Sequence, residues 1–263
     1  MARGDDDIPA APRHAYNRRR FTLPASRRAA LGKLSVAMLV FAVIFGGGVF
    51  VMQSRAAMRA ASVTLPGGGP ASGCTLWFIG SSTIQKWTTL ATDMAPWDAR
   101  NRGVDGATMP ELLQMIRNEP RGMPPRAIVF YAGENDIVKG ASAADDLTNL
   151  RTFLALKSAR WGKVPVVLIS LKPSPTRWRN LPEQTAFNAA ARAVASRTPG
   201  TTFVNVVPLF LVNHRPGAFY VDDGIHLNAA GYDRLTSAIQ PALKTILRQA
   251  PARGCAPSSE TQS

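Results

Sequence analysis

Asp223 stands three residues before His226, in the run Asp222-Asp223-Gly224-Ile225-His226-Leu227-Asn228, just ahead of a helical pattern. A short turn can aim that carboxylate and that imidazole at one point. The carboxylate then orients the ring and leaves its other nitrogen as a general base. Such a base needs a nucleophile, and Ser82 is the candidate. It follows a short apolar run, Thr75-Leu76-Trp77-Phe78-Ile79, which ends at Gly80-Ser81-Ser82. In the first turn of a helix Ser82 could present its hydroxyl, and its backbone N–H would be one of the unpaired donors there. Its Oγ could attack an acyl carbon while His226 takes the proton. The resulting oxyanion needs hydrogen-bond donors, and the candidates are the N–H groups of Ser82 and Gly103 and the side-chain amide of Asn135. Gly103 suits the task because a missing side chain lets its backbone approach a substrate. Each piece alone has an ordinary reading: Gly-Ser-Ser as a helix cap, Asp-x-x-His as a solvated turn, Asn-Asp after glycine as turn chemistry. Their order along the chain, with each at a strand end or a turn, outweighs those readings.

The elements that must position these residues are legible in the pattern. Strand-like runs occur at 75–79, 127–131, 164–171 and 202–206, with a further short strand at 97–102. Helical patterns fall near 83–94, 109–118, 143–160, 182–197 and 228–248. Near-continuous apolar strands alternating with helices predict an α/β fold, a parallel sheet covered by helices on both faces in three α/β/α layers. In such sheets the ligand crevice lies beyond the carboxyl ends of the strands. Gly80-Ser81-Ser82, Asn101-Arg102-Gly103 and Gly133-Glu134-Asn135-Asp136 all follow strands, so they can converge with the Asp223/His226 turn on one edge.

The flanks are of another kind. The 263-residue chain has a net charge of +14, and its first 33 residues hold eight Lys/Arg and three Asp. Residues 1–33 read as a disordered basic tail. Residues 34–52, LSVAMLVFAVIFGGGVFVM, are uncharged and mostly apolar. As a helix they would span roughly 28 Å, about one bilayer core. Basic residues crowd before the run and thin out after it, which predicts a single transmembrane helix with its N-terminus in the cytoplasm and the rest outside. The alternative is a cleaved signal peptide, because small residues follow. Residues 53–73, with Pro66-Gly67-Gly68-Gly69-Pro70, read as a flexible linker. Residues 74–250 form the folded domain, and 251–263 a polar tail. The two cysteines, Cys74 and Cys255, bracket that domain. In an oxidising compartment a disulfide between them is expected, two separate thiols being the alternative. The basic balance suits anionic partners, but no nucleic-acid motif accompanies it.

Four of these pieces together resemble the sequence blocks of the SGNH (GDSL) hydrolases, a superfamily of serine esterases and acylhydrolases. FIGSS is similar to the first block, with Ser82 at the nucleophile position. NRGVDG is similar to the second, with Gly103 at the oxyanion glycine, and YAGENDI to the third, with Asn135 as the oxyanion asparagine. DDGIHLN is similar to the last, with Asp223 and His226. Ser81 stands where the family's name motif has Asp, as in a branch of the family that has Gly-Ser-Ser. Lys172 to Trp178, KPSPTRW, also looks like a segment of bacterial members. The resemblance covers about Leu76 to Leu247 and implies a flavodoxin-like SGNH fold and a serine ester hydrolase that uses no cofactor.

The remaining chemistry-bearing residues have quieter readings. His14 and His214 have no partner in sequence, and three histidines with two separated cysteines predict no metal cluster. Trp77, Phe78 and Trp161 read as packing, Lys172 and Arg177 as solvated loop charges, and Trp178 and Tyr220 as loop residues near the crevice. The expected activity is hydrolysis of a small-molecule, lipid or glycan ester outside the cytoplasm. A glycan-binding module without catalysis and an acyltransferase to an envelope sugar are the alternatives.

Overall fold

The computed structural model describes residues 63–248. Five parallel strands form the central sheet: β1 (Thr75–Gly80), β2 (Asp98–Gly103), β3 (Ala127–Tyr131), β4 (Val166–Ile169) and β5 (Thr201–Val204), in the order β2-β1-β3-β4-β5. Every residue of β1, β3 and β4 is buried. Side chains alternate between the two faces of a strand, so burial throughout means both faces are covered. The helices that cover them fall into two groups. α3 (Met109–Asn118), α5 (Ala143–Trp161) and α6 (Leu181–Arg197) form one group, with α5 against both others. α7 (Ala229–Arg248) contacts β4 and β5 and reaches the segment holding α1 (Ser82–Gln85) and α2 (Leu90–Asp93). There Trp87 stacks on Tyr232 at 5.4 Å, and the Tyr232 hydroxyl donates to the Thr83 carbonyl at 3.1 Å. The aromatic residues Trp77, Phe78 and Trp161 lie in the core, as their sequence context predicts.

The continuous helix expected at 83–94 is broken into α1 and α2. Trp87, between them, is almost fully buried and donates its indole N–H to Asp93; seating that ring redirects the chain. A further short helix, α4 (Glu134–Val138), follows β3. A small hairpin of β6 (Leu211–Val212) and β7 (Arg215–Pro216) has Asn213 and His214 at its tip, both with positive φ, as a two-residue hairpin turn requires.

The order β2-β1-β3 sets the site. The chain leaves β1 for one neighbour and returns to build the sheet on the other side. The crevice at such a reversal opens beyond the ends of β1 and β3. Ser82 lies just past β1 and Asn135 just past β3.

The segment before β1 is tied down, although its composition suits a tether. Leu65 and Ala71 are buried. The Leu65 N–H donates to Glu119 Oε1 at 2.7 Å, and Arg102 donates to the carbonyls of Leu65 and Pro66 and to Glu119 Oε2 at 2.7 Å. Arg102 and Glu119 are both buried, so losing one leaves the other's charge unpaired. Glu119→Ala should therefore lower the free energy of unfolding by about 3 kcal/mol; a urea midpoint equal to that of wild type would contradict this account of the clamp.

Residues 1–33, the expected transmembrane run 34–52, the first part of the linker, the 251–263 tail and Cys255 lie outside the described residues. Cys74 is disulfide-bonded. Among the described residues no helix is long and apolar enough to cross a membrane.

Candidate active site

The local fold explains why Ser82, rather than Ser81, is presented. Ser81 occupies the position before α1: its N–H donates to the Tyr131 carbonyl at 3.2 Å and its carbonyl accepts from Ile84 and Gln85. Ser82 is the first residue of that helix, where a backbone N–H has no intrahelical acceptor. Its side chain points to His226, with Oγ 2.9 Å from Nε2. The other ring nitrogen, Nδ1, lies 2.5 Å from Asp223 Oδ2. A proton on Nδ1 is donated to the carboxylate, and the Nε2 lone pair is then free to accept from the serine hydroxyl.

The Asp-x-x-His spacing works because one carboxylate does two jobs. Asp223 Oδ1 accepts the backbone N–H groups of Ile225 and His226, at 2.8 and 2.9 Å, and so closes the turn. Oδ2 is left for the ring. Burial alone would raise the Asp223 pKa. The hydrogen bonds from the His226 backbone and ring and from Ile225 outweigh it and hold the carboxyl down at about 2. Gly224 turns the chain at φ 63, and a Cβ there would meet Thr176 Oγ1 at 2.7 Å. Asp223 rather than its neighbour Asp222 thus holds the ring. The side chain of Asp223 is 43% exposed and that of His226 20%, so the turn forms an open rim, while Ser82 below it is 5% exposed.

Asn135 and Gly103 fare differently. Asn135, buried in α4, donates through Nδ2 to the Ala107 carbonyl at 2.9 Å and accepts at Oδ1 from Arg177 at 2.9 Å. One of its two N–H groups remains unused by those contacts. Gly103 ends β2 beside Gly80, as expected, but its N–H is taken by Asn101 Oδ1 at 3.0 Å. Its missing side chain serves packing: a Cβ would lie 2.2 Å from the Gln85 backbone nitrogen. Gly103 therefore lets α1 close on β2, and its N–H is not a free donor. The loop that follows runs from Gly80, which accepts from Val104 at 2.9 Å, to Ala107 at Asn135. In it Gly106 is exposed, has φ 67, and has no acceptor for its N–H among the described residues. The second glycine of NRGVDG was the signal for it.

Lys172 departs most from its sequence reading. It is 1% exposed, not a solvated loop charge. Its Nζ lies 3.2 Å from Glu134 Oε1 and donates to the Ile225 carbonyl at 3.0 Å. Burial pushes its pKa below the ordinary lysine value, and the Glu134 charge and hydrogen bond oppose that. Arg177 Nη1 lies 3.7 Å from Glu134 Oε2. Tyr220 is tied as well, its hydroxyl donating to the Pro173 carbonyl. Trp178 is half-buried, with the Arg215 guanidinium 5.2 Å over its ring. Asp136 serves the fold, accepting the Met109 N–H at the start of α3; burial raises its pKa and that hydrogen bond opposes the rise. A cavity of about 300 Å³ lined by Leu65, Trp77, Arg102 and Trp161 includes none of the Ser82, Asp223 and His226 group. Among the described residues no group of three or more His, Cys, Asp or Glu is placed to hold a metal ion.

Comparison with known proteins agrees with this architecture. The GDSL-like Lipase/Acylhydrolase family matches over residues 71–234, which includes Ser82, Asn135, Asp223 and His226. Among solved structures, a GDSL-like lipase from Bacteroides thetaiotaomicron is 22% identical, with a TM-score of 0.58 over 73% of this chain and 97% of that one. A member of the lipolytic protein G-D-S-L family from Veillonella parvula is 16% identical, with a TM-score of 0.56 over 65% and 98%. A carbohydrate esterase family 3 protein from Talaromyces cellulolyticus is 14% identical, with a TM-score of 0.55 over 67% and 99%. At these identities the likeness is one of fold. A comparison with curated protein sequences gives no match. The family match spans more than half of the sequence, from before β1 into α7, and the chain belongs to the GDSL-like lipase/acylhydrolase family of serine ester hydrolases.

Proposed function

We propose that the chain hydrolyses esters of short acyl groups, on carbohydrates or other small alcohols, with Ser82 as nucleophile, His226 as general base and acid, and Asp223 as the residue that orients the ring. The observation that carries this reading is His226 bridging Ser82 Oγ at 2.9 Å and Asp223 Oδ2 at 2.5 Å. As Ser82 Oγ bonds to the acyl carbon, its proton passes to Nε2, and the carbonyl π electrons move onto oxygen. The Asp223 carboxylate stabilises the imidazolium. Three N–H groups are assigned to the oxyanion: those of Ser82 and Gly106 and the free one on Asn135 Nδ2. Collapse of the tetrahedral species breaks the bond to the alcohol oxygen, which takes the proton from Nε2 and leaves. His226 then deprotonates a water that attacks the acyl carbon. Breaking the bond to Ser82 Oγ restores the serine and releases the acid.

The exposed histidine turn favours a bulky, water-borne alcohol portion over a long acyl chain. The carbohydrate esterase among the similar folds points the same way. Residues 34–52 are assigned to the membrane, with the hydrolase domain on the extracytoplasmic side. The support is the apolar run and the basic residues that precede it. A series of p-nitrophenyl esters from acetate to palmitate, with an acetylated oligosaccharide alongside, tests the substrate class. The expected order is acetate and the oligosaccharide fastest, with rates falling as the chain lengthens. A profile rising toward palmitate would contradict the short-acyl assignment.

A further inference from the structure

The two ends of the Asn135 amide differ in what they offer an anion, so its orientation matters. Nδ2 faces the Ala107 carbonyl and Oδ1 faces the Arg177 guanidinium. A half-turn of the amide would set Oδ1 against a carbonyl oxygen and the NH2 group against a cation. It would also present oxygen, rather than N–H, to a developing oxyanion. Arg177 disfavours that alternative through the hydrogen bond it donates.

Arg177 is itself held from behind. Glu134, 2% exposed, accepts from Lys172 on both carboxylate oxygens and lies 3.7 Å from Arg177 through Oε2. Lys172 then reaches the Ile225 carbonyl, inside the turn that carries Asp223 and His226. Next to Arg177, Thr176 donates its hydroxyl to the Asp223 carbonyl at 2.6 Å and its N–H to the Gly224 carbonyl at 3.1 Å. Residues 172–177 therefore touch the histidine turn on one side and Asn135 on the other. Arg177 itself sets a positive charge directly against the amide oxygen. In a poorly solvated site that charge polarises Asn135 and makes its N–H a better donor.

We infer that Arg177 is a positioning residue for the oxyanion-binding amide: it fixes and polarises Asn135, and acts on the reaction through Asn135 rather than on the substrate. This rests on the reading of Asn135 as an oxyanion donor. A double-variant cycle on p-nitrophenyl acetate tests it. Asn135→Ala is expected to lower kcat by about 10²-fold, as loss of one oxyanion donor does. Arg177→Met is expected to lower kcat by about tenfold with KM little changed, and the double variant to match Asn135→Ala within about twofold. An effect acting through packing or through direct substrate contact would persist when Asn135 is gone. Wild-type kcat in Arg177→Met, or a double variant a further tenfold below Asn135→Ala, overturns the inference alone. Wild-type activity in Asn135→Ala overturns the donor reading and the inference together. Where a thermal melt shows the methionine variant unfolded, Arg177→Lys replaces it in the same cycle. It keeps a charge for Glu134 but cannot span both Glu134 and Asn135 with one fork.

Discussion

Replacing Ser82 by alanine will abolish ester hydrolysis, with kcat/KM falling by at least about 10⁴-fold. Stability will barely change. The substitution deletes one oxygen at a helix start, and what it unpairs is His226 Nε2, on a side chain 20% exposed that water can reach. The neighbouring Ser81→Ala is the control. Ser81 is also buried, but its hydrogen bonds to Tyr131, Ile84 and Gln85 run through its backbone and survive the change. It is expected to retain the larger part of wild-type activity. A melting temperature close to wild type in both variants separates chemistry from folding. The reverse pattern, with Ser81→Ala inactive and Ser82→Ala active, would move the nucleophile one residue back.

Asp223→Asn is expected to cost about 10⁴-fold in kcat, and the cause is a misplaced proton. An asparagine can keep its oxygen on the N–H groups of Ile225 and His226, so the turn survives. It then presents NH2 to Nδ1, which must accept. The ring proton moves to Nε2 and faces Ser82, and the base is lost. Stability carries a second signature. The folded-state pKa of Asp223 is depressed from 3.8 to about 2. Its contribution is therefore complete above the unfolded carboxylate range and is lost as pH falls through about 2. The stability difference between wild type and Asp223→Asn should shrink as pH falls from 4 to 2, as read from urea titrations. A difference that grows between pH 4 and 2 would contradict the assignment. The exposed position of Asp223 keeps the effect small.

Much of this was legible in the residues because the signals are local. β1 and β3 are unbroken apolar runs that end at glycine or just before it. The Asp223 turn closes on itself within three residues, and Ser82 begins the helix that follows its strand. What escaped depends on partners far apart in sequence. Lys172 and Arg177 read as solvated because nothing near them is acidic, yet Glu134 waits 38 residues before Lys172. The segment around Leu65 read as tether because its glycines are conspicuous, while the Arg102 and Glu119 that hold it lie in other elements. The small size of Gly103 is used, but the use is packing on α1, and Asn101 occupies the N–H. α4, at five residues, is too short to show a helical period.

The central claim is that His226 makes Ser82 a nucleophile. Labelling with a fluorophosphonate, followed by intact mass and peptide mapping, tests it most directly. The account predicts one adduct per chain, on Ser82, formed rapidly in wild type, absent in Ser82→Ala and strongly slowed in Asp223→Asn. A folded wild-type protein that takes no label, or takes it on another serine, would contradict it.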